Sequence, residues 1–328
     1  METLTTARGY AEAIGRLAAE PRVLLPFLRG GGTALDEPRP SLPSGYVQEV
    51  DGHGHLFWRD TGPPPDTARA RGTILLLHGW LVPSDPHWFR TWRLLQDDGW
   101  RVVALDARGH GHGTRPMTPF RLDECAEDAA ALLHHLDTGP VVVVGYSMGG
   151  AIAQILALRH PELLRGVVLC ATSAEFKSSP IMQAVWYSMS VFQVWLRLAP
   201  KWTWEFVVAQ LAQGDPATTA WVVGELRRGA PSDIAEAGRD IGRFDSRAWI
   251  GDVTVPAAVV VCTMDLLVPP TMQRALAERL GAPTVEIQSD HLAPGTTPRR
   301  FHRGLSRALD LLAPADELAE RKARRRAS

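Results

Sequence analysis

From Thr73 onward the chain alternates two kinds of apolar pattern. The short kind is continuous: Thr73–Leu77, Arg101–Leu105, Val141–Val144, Gly166–Cys170, Ala257–Val261 and Thr284–Ile287. Runs of that length, rich in branched residues, predict strands buried on both faces. The longer kind predicts helices over Trp88–Gln96, Leu122–Leu136, Gly149–Arg159, Thr271–Leu280 and Pro298–Leu312. The second of these opens with Asp123 and Glu124, where the positive end of a helix dipole favours carboxylates. Upstream, Tyr46–Val50 and His53–Arg59 flank Asp51-Gly52 and predict a hairpin. The alternation as a whole predicts an α/β fold, a mostly parallel central sheet with helices on both faces.

The pattern breaks over residues 174–250, which hold six of the eleven tryptophans: Trp186, Trp195, Trp202, Trp204, Trp221 and Trp249. We read this stretch as an inserted helical cap over the strand ends. The expected organisation is an N-terminal helix and extended wrap over 1–45, a core made of 46–173 and 251–313, the cap over 174–250, and a basic flexible tail over 314–328. The longest uncharged stretch, Ser178–Leu196, carries Pro180 and a polar stripe at Ser179, Gln183, Tyr187, Ser190 and Gln193 that continues to Arg197. It reads as a helix packed over apolar material rather than a membrane span.

Composition narrows the classes. The 328 residues are 45% hydrophobic and 22% charged, a globular balance, with a net charge of −1 that gives no bulk attraction to nucleic acid or anionic membranes. Cys125, Cys170 and Cys262 are too widely spaced for a metal site or a disulfide framework, so a cytoplasmic setting is expected. The N-terminus lacks the pattern of a signal peptide. No nucleotide loop is present, and His110 and His112 without a third ligand make a poor zinc site, so neither cofactor nor metal is expected.

The candidate chemistry begins at Gly145-Tyr146-Ser147-Met148-Gly149, directly after Val141–Val144 and before an apolar helical run. A G-x-S-x-G turn between a strand and a helix presents its serine on strained backbone, with the helix N-terminus aimed at any developing oxyanion. A serine so presented needs a base, a group that orients the base, and oxyanion donors.

With those residues in view, the chain resembles an α/β-hydrolase-fold serine hydrolase, esterase- or lipase-like with a helical cap, over about residues 46–313. The resemblance implies the order nucleophile, acid, histidine. Cys262-Thr263-Met264-Asp265 resembles the family's acid loop, and Ser289-Asp290-His291, 26 residues on from Asp265 to His291, its histidine loop. It implies Ser147 as nucleophile, His291 as general base and Asp265 as orienting acid, with Asp290 as a rival. His78-Gly79-Trp80 resembles the family's oxyanion loop, which implies the backbone N–H groups of Trp80 and Met148 as donors. The Asp106-Ala107-Arg108-Gly109-His110-Gly111 loop also matches and reads as scaffold in which Asp106 and Arg108 pair.

The expected reaction is cleavage of a carboxylic ester of a small apolar acyl or aromatic substrate. Hydrolysis of a C–C bond, perhydrolysis on the same triad, or non-catalytic binding of a small molecule are the alternatives. Activity is expected to rise with pH as His291 loses its proton. No nucleic-acid partner and no stable membrane insertion are expected.

Overall fold

Strand β5 (Val141–Tyr146) is buried at every position and lies near the middle of an eight-stranded sheet of order β1-β2-β4-β3-β5-β6-β7-β8. The other strands are β1 (Ser44–Val50), β2 (Gly54–Asp60), β3 (Gly72–Leu77), β4 (Trp100–Leu105), β6 (Leu164–Cys170), β7 (Ala257–Cys262) and β8 (Thr284–Ile287). This architecture is that of a computed structural model, which describes residues 41–115, 117–178, 183, 189–191, 193, 194, 198 and 216–312. The expected N-terminal helix, most of the wrap and the basic tail lie outside the described residues, as do Trp186, Trp195, Trp202 and Trp204.

The predicted hairpin is formed by β1 and β2, which pair antiparallel from Ser44 with Asp60 to Val50 with Gly54. β2 joins β4 antiparallel, and every later pairing is parallel. The side chains divide by strict alternation. Leu75, Leu77, Val103, Leu105, Val141 and Val143 enter one core, while Ile74, Leu76, Val102, Ala104, Val142 and Val144 enter the other. Helices Leu122–Leu136, Met148–Arg159 and Pro270–Leu280 close the first face. Ser84–Trp88, Trp92–Asp97 and Pro298–Leu311 close the second through Trp88, Trp92, Leu95, Phe301 and Leu305. A strand covered on both sides cannot alternate polar and apolar residues, which is why the runs are continuous.

Two sequence expectations need correction. The helix expected over Trp88–Gln96 is two short helices, Ser84–Trp88 and Trp92–Asp97, separated around Thr91. Asp106 and Arg108 do not pair with one another. Arg108 forms a fork with Asp128 (2.8 and 2.6 Å) and also bonds Glu124, while Asp106 accepts the backbone N–H groups of Ser84 (2.8 Å) and His112 (2.9 Å). One amide opens the helix Ser84–Trp88 and the other lies on a loop, and both need an acceptor, so Asp106 fastens backbone instead of neutralising a neighbour.

The stretch that breaks the alternation leaves and returns at one point. Glu175 and Asp245 form an antiparallel bridge, and the Ser246 N–H donates to the Ala174 carbonyl at 2.7 Å. Its described helices are Pro216–Leu226 and Pro231–Arg243. The second is tied to the core by its acidic face. Glu236 accepts the Phe120 N–H at 2.9 Å, and Asp240 accepts the Leu122 N–H at 2.8 Å. Asp240 thereby satisfies an orphan donor at the start of helix Leu122–Leu136, a cap supplied from more than a hundred residues away.

Candidate active site

The turn after β5 is built by steric exclusion. Ser147 has φ +53° and ψ −113°, a conformation that side chains rarely adopt. The glycines on either side are required by contact. A Cβ at Gly145 would lie 2.3 Å from the Gly149 carbonyl oxygen, and one at Gly149 would lie 2.1 Å from the Leu77 carbonyl oxygen. The turn is held by the Ser147 N–H donating to Cys170 O at 2.9 Å and the Thr172 hydroxyl donating to Ser147 O at 2.8 Å. Met148 is the first residue of the helix Met148–Arg159, so its N–H has no carbonyl one turn back to bond.

Two loops at the carboxyl ends of β7 and β8 bring a histidine and an acid to this serine. His291 Nε2 lies 3.0 Å from Ser147 Oγ, and His291 Nδ1 lies 2.7 Å from Asp265 Oδ2. Asp265 is buried, and its other oxygen accepts the N–H groups of Leu267 and Val268, each at 2.9 Å. Gln273 Nε2 donates to Asp265 Oδ2 at 3.1 Å and to the Val268 carbonyl at 2.7 Å. The acid is therefore a pure acceptor surrounded by donors, which requires the His291 Nδ1 to carry a proton and leaves the Nε2 lone pair for the serine hydroxyl. Asp290 turns away. Its Oδ1 accepts from the Leu292 N–H (2.9 Å) and the Thr296 hydroxyl (3.0 Å), at the two ends of the short helix Ala293–Thr296.

The His78-Gly79-Trp80 segment follows β3 and abuts the turn, since a Cβ at Gly79 would come within 3.6 Å of Ser147 Cβ. His78 shapes this segment. Its Nε2 accepts the Ala107 N–H at 3.0 Å, so its Nδ1 donates to the Gly79 carbonyl at 2.8 Å. Burial lowers its pKa and keeps the ring neutral. The Trp80 indole reaches in the other direction and donates from Nε1 to the Ile234 carbonyl at 2.8 Å. Gly238, one turn further along that helix, has no room for a side chain. A Cβ there would lie 2.9 Å from Trp80 Cζ2.

Ser147, His291 and Asp265 are thus brought together, and Trp80 and Met148 stand on the two segments beside Ser147. Reading the sequence missed three supporting residues, Tyr146, Gln273 and His87, and the bond made by the Trp80 side chain. Tyr146 donates from its hydroxyl to the His291 carbonyl at 3.0 Å, which ties the histidine loop to β5. Gln273 holds Asp265, and Trp80 grips Ile234. His87 packs edge-on against Tyr146 with ring centroids 4.9 Å apart, and burial together with the neighbouring His78 and His291 holds its pKa well below the usual imidazole value.

Among the described residues, Asp85, His112 and Glu225 place ligand-type atoms within 4.8 Å of one another. Arg59 already donates to both Asp85 oxygens (2.8 and 2.6 Å), and Arg228 to Glu225 (3.0 Å). A cation there would have to displace guanidinium groups that match the carboxylates well.

His110 offers a test of the scaffold. The ring is fully buried against His78, with centroids 5.3 Å apart. Burial, and then the proximity of His78, push its pKa from 6.5 to about 3. The unfolded chain takes up this proton near pH 6.5 and the folded chain only near 3. Stability is therefore fully present above the upper value and falls as pH drops through the window. His110→Phe should remove about 3 kcal/mol of the loss seen between neutral pH and about pH 4. Urea unfolding of both proteins at the two pH values checks it, and parallel acid limbs would refute it.

Comparison with known proteins was made on this geometry. Residues 72–215 match the alpha/beta hydrolase fold family. A pimeloyl-(acyl-carrier protein) methyl ester esterase of Chromobacterium violaceum is 32% identical over 234 residues, covering 69% of this chain and 86% of that protein. A 3-oxoadipate enol-lactonase 2 of Acinetobacter baylyi is 24% identical over 212 residues, covering 63% of this chain and 78% of that protein. Among solved structures, the enol-lactonase from Burkholderia xenovorans LB400 superposes with a TM-score of 0.67 at 24% identity, covering 80% of this chain and 99% of that one, a likeness of fold.

Proposed function

The chain belongs to the α/β-hydrolase fold family, and from that premise we propose that it hydrolyses a carboxylic ester with an apolar acyl or aromatic group through an acyl-enzyme on Ser147. The observation that carries this reading is the unbroken hydrogen-bond series from Ser147 Oγ through His291 to Asp265, at 3.0 and 2.7 Å. His291 Nε2 takes the serine proton as Oγ attacks the carbonyl carbon. Asp265 steadies the imidazolium so formed. The tetrahedral oxyanion is received by the N–H groups of Trp80 and Met148, a kind of donor worth about 3–4 kcal/mol each in other hydrolases. Collapse expels the alcohol, which leaves with the proton from His291. Water then repeats the sequence on the acyl group, with His291 as base, and the carboxylic acid departs.

Relatives named for a methyl ester esterase and an enol-lactonase support ester or lactone carbonyls as the substrate class. We assign acyl choice to a cap over 174–250, which meets the oxyanion loop through Trp80 and Ile234. A cytoplasmic site accords with the three cysteines, all free and buried. Burst release of a chromophoric alcohol from an activated ester tests the chemistry. A dienol turned over far faster than any ester would instead favour C–C hydrolysis, and binding without a burst would favour a non-catalytic role.

Gly238→Ala is expected to push the Trp80 indole and, with it, the proposed oxyanion N–H. A displacement of that kind should lower kcat on the order of 10- to 100-fold while KM changes little. Steady-state kinetics beside a melting curve check this, and an unchanged kcat in a folded variant would refute it.

A further inference from the structure

His87 is an imidazole beside Ser147 that the proposed chemistry leaves idle. It stands in the helix Ser84–Trp88, just after the His78-Gly79-Trp80 segment. Its neighbour Trp88 is fully buried and anchors that helix in the second core, whereas His87 is only half-buried. The position that a Gly79 Cβ would take lies 3.4 Å from His87 Cε1 and 3.6 Å from Ser147 Cβ. Because residue 79 is glycine, no side chain of its own fills the gap between them. Cε1 is the carbon between the two ring nitrogens, so the imidazole turns its polar edge toward the nucleophile.

Packing alone does not account for those nitrogens. The ring meets Trp88 and Tyr146 edge-on, with centroids 4.4 and 4.9 Å apart, contacts that a phenylalanine would make as well. His78 and His291 have both ring nitrogens engaged. In His87 the Nε2 is sealed from solvent and the Nδ1 is not, and neither has a partner among the described residues. Polar atoms left unpaired in a covered position destabilise a fold and call for a reason. Burial, and then the nearness of His78 and His291, keeps this ring uncharged. The open nitrogen is then a donor in one tautomer and an acceptor in the other. A hydroxyl answers either form, while a carboxylate or phosphate finds no positive charge.

The side of the serine on which His87 lies identifies the part of the substrate it meets. His291 returns its proton to the departing oxygen, so the alcohol part of an ester leaves on the His291 side. The rings of His87 and His291 both pack edge-on against Tyr146, with centroids 4.9 and 5.8 Å from it. The residue that ends this short helix, Phe89, meets Trp221 of the helix Pro216–Leu226 edge-on at 5.3 Å, so the region lies where the core meets the inserted stretch. We infer that His87 is a specificity-determining residue that hydrogen-bonds a hydroxyl on the alcohol part of the ester, which makes the substrate class monoesters of a diol or polyol. The inference rests on the ester-hydrolase reading and adds the leaving group to it.

Two esters of equal size, propyl butanoate and ethylene glycol monobutanoate, test it. The ratio of their kcat/KM values should favour the glycol ester in the wild-type protein. It should fall about five- to tenfold in His87→Phe, which keeps a ring against Tyr146 and carries no polar atom. His87→Leu answers the same question if a melting curve shows the phenylalanine variant unfolded. A hydroxyl moved to the acyl part, as in propyl γ-hydroxybutanoate, should gain nothing from His87. The same ratio read as affinities by tryptophan fluorescence, in Ser147→Ala with and without His87→Phe, needs no turnover. A shift in those affinities without hydrolysis by the wild-type protein would support the His87 contact and refute the ester chemistry. An unchanged ratio in a folded variant, or an equal loss on all three esters, would overturn the inference and leave His87 a packing residue.

Discussion

Replacing Ser147 with alanine is expected to lower kcat for an activated ester by about 10⁶-fold while leaving the melting midpoint nearly unchanged. The size of the effect follows from the role proposed. Without Oγ there is no atom to form the acyl-enzyme, and His291 loses the hydroxyl 3.0 Å from its Nε2. The residual rate would come from oxyanion donors and substrate positioning alone. The fold should tolerate the change, because the backbone bonds to Cys170 and Thr172 that hold the turn do not use the serine hydroxyl. Rapid-quench and steady-state kinetics on one preparation, with a melting curve, check both halves.

The second large effect is expected at Asp265. Changing it to asparagine should cost on the order of 10⁴-fold in kcat. The carboxylate accepts from Leu267, Val268, Gln273 and His291. An asparagine can keep the two backbone donors on its single oxygen. Its NH₂ group then faces Gln273 Nε2 and His291 Nδ1, where donors meet donors. The imidazole escapes the clash by moving its proton to Nε2, the tautomer that cannot accept from serine. Because the site is buried, about 1–3 kcal/mol of stability should be lost as well. An Asp290→Asn control should cost less than tenfold, since that carboxylate is bonded to Leu292 and Thr296 and not to His291. The reverse ranking would move the orienting role to Asp290.

How far the sequence could be read depended on the range of the interactions involved. The central strands were legible because burial on both faces removes polar residues from consecutive positions, as in Val141–Val144. The elbow was legible because its glycines answer to contacts within a few residues or with the adjacent strand, such as Gly149 against Leu77. Asp265 and His291 could be nominated because the loops that carry them, each after a recognisable strand, resemble the acid and histidine loops of the α/β-hydrolase family. Their supports could not. Gln273 reaches Asp265 from the following helix, Tyr146 reaches a carbonyl 145 residues away, and the Trp80 indole spans 154 residues to Ile234. None of these bonds leaves a local pattern. The misreading of Asp106 and Arg108 has the same source. Nearness in sequence suggested a pair, but the backbone amides of Ser84 and His112 and the carboxylates of Glu124 and Asp128 on the helix Leu122–Leu136 claimed each partner separately.

The fold thus explains why this serine, among those of the chain, should be the reactive one. Its backbone is held at positive φ, a helix begins at the next residue, and a histidine oriented by a buried acid faces its hydroxyl. The central claim is a covalent intermediate at that hydroxyl, and labelling tests it most directly. The protein is treated with a fluorophosphonate, digested, and the adduct located by mass spectrometry. The account predicts one equivalent of label on Ser147, with loss of ester hydrolysis in proportion to labelling and no adduct in the Ser147→Ala variant. Full hydrolytic activity in a protein quantitatively labelled at Ser147, or a stoichiometric label on another residue that alone abolishes activity, would contradict it.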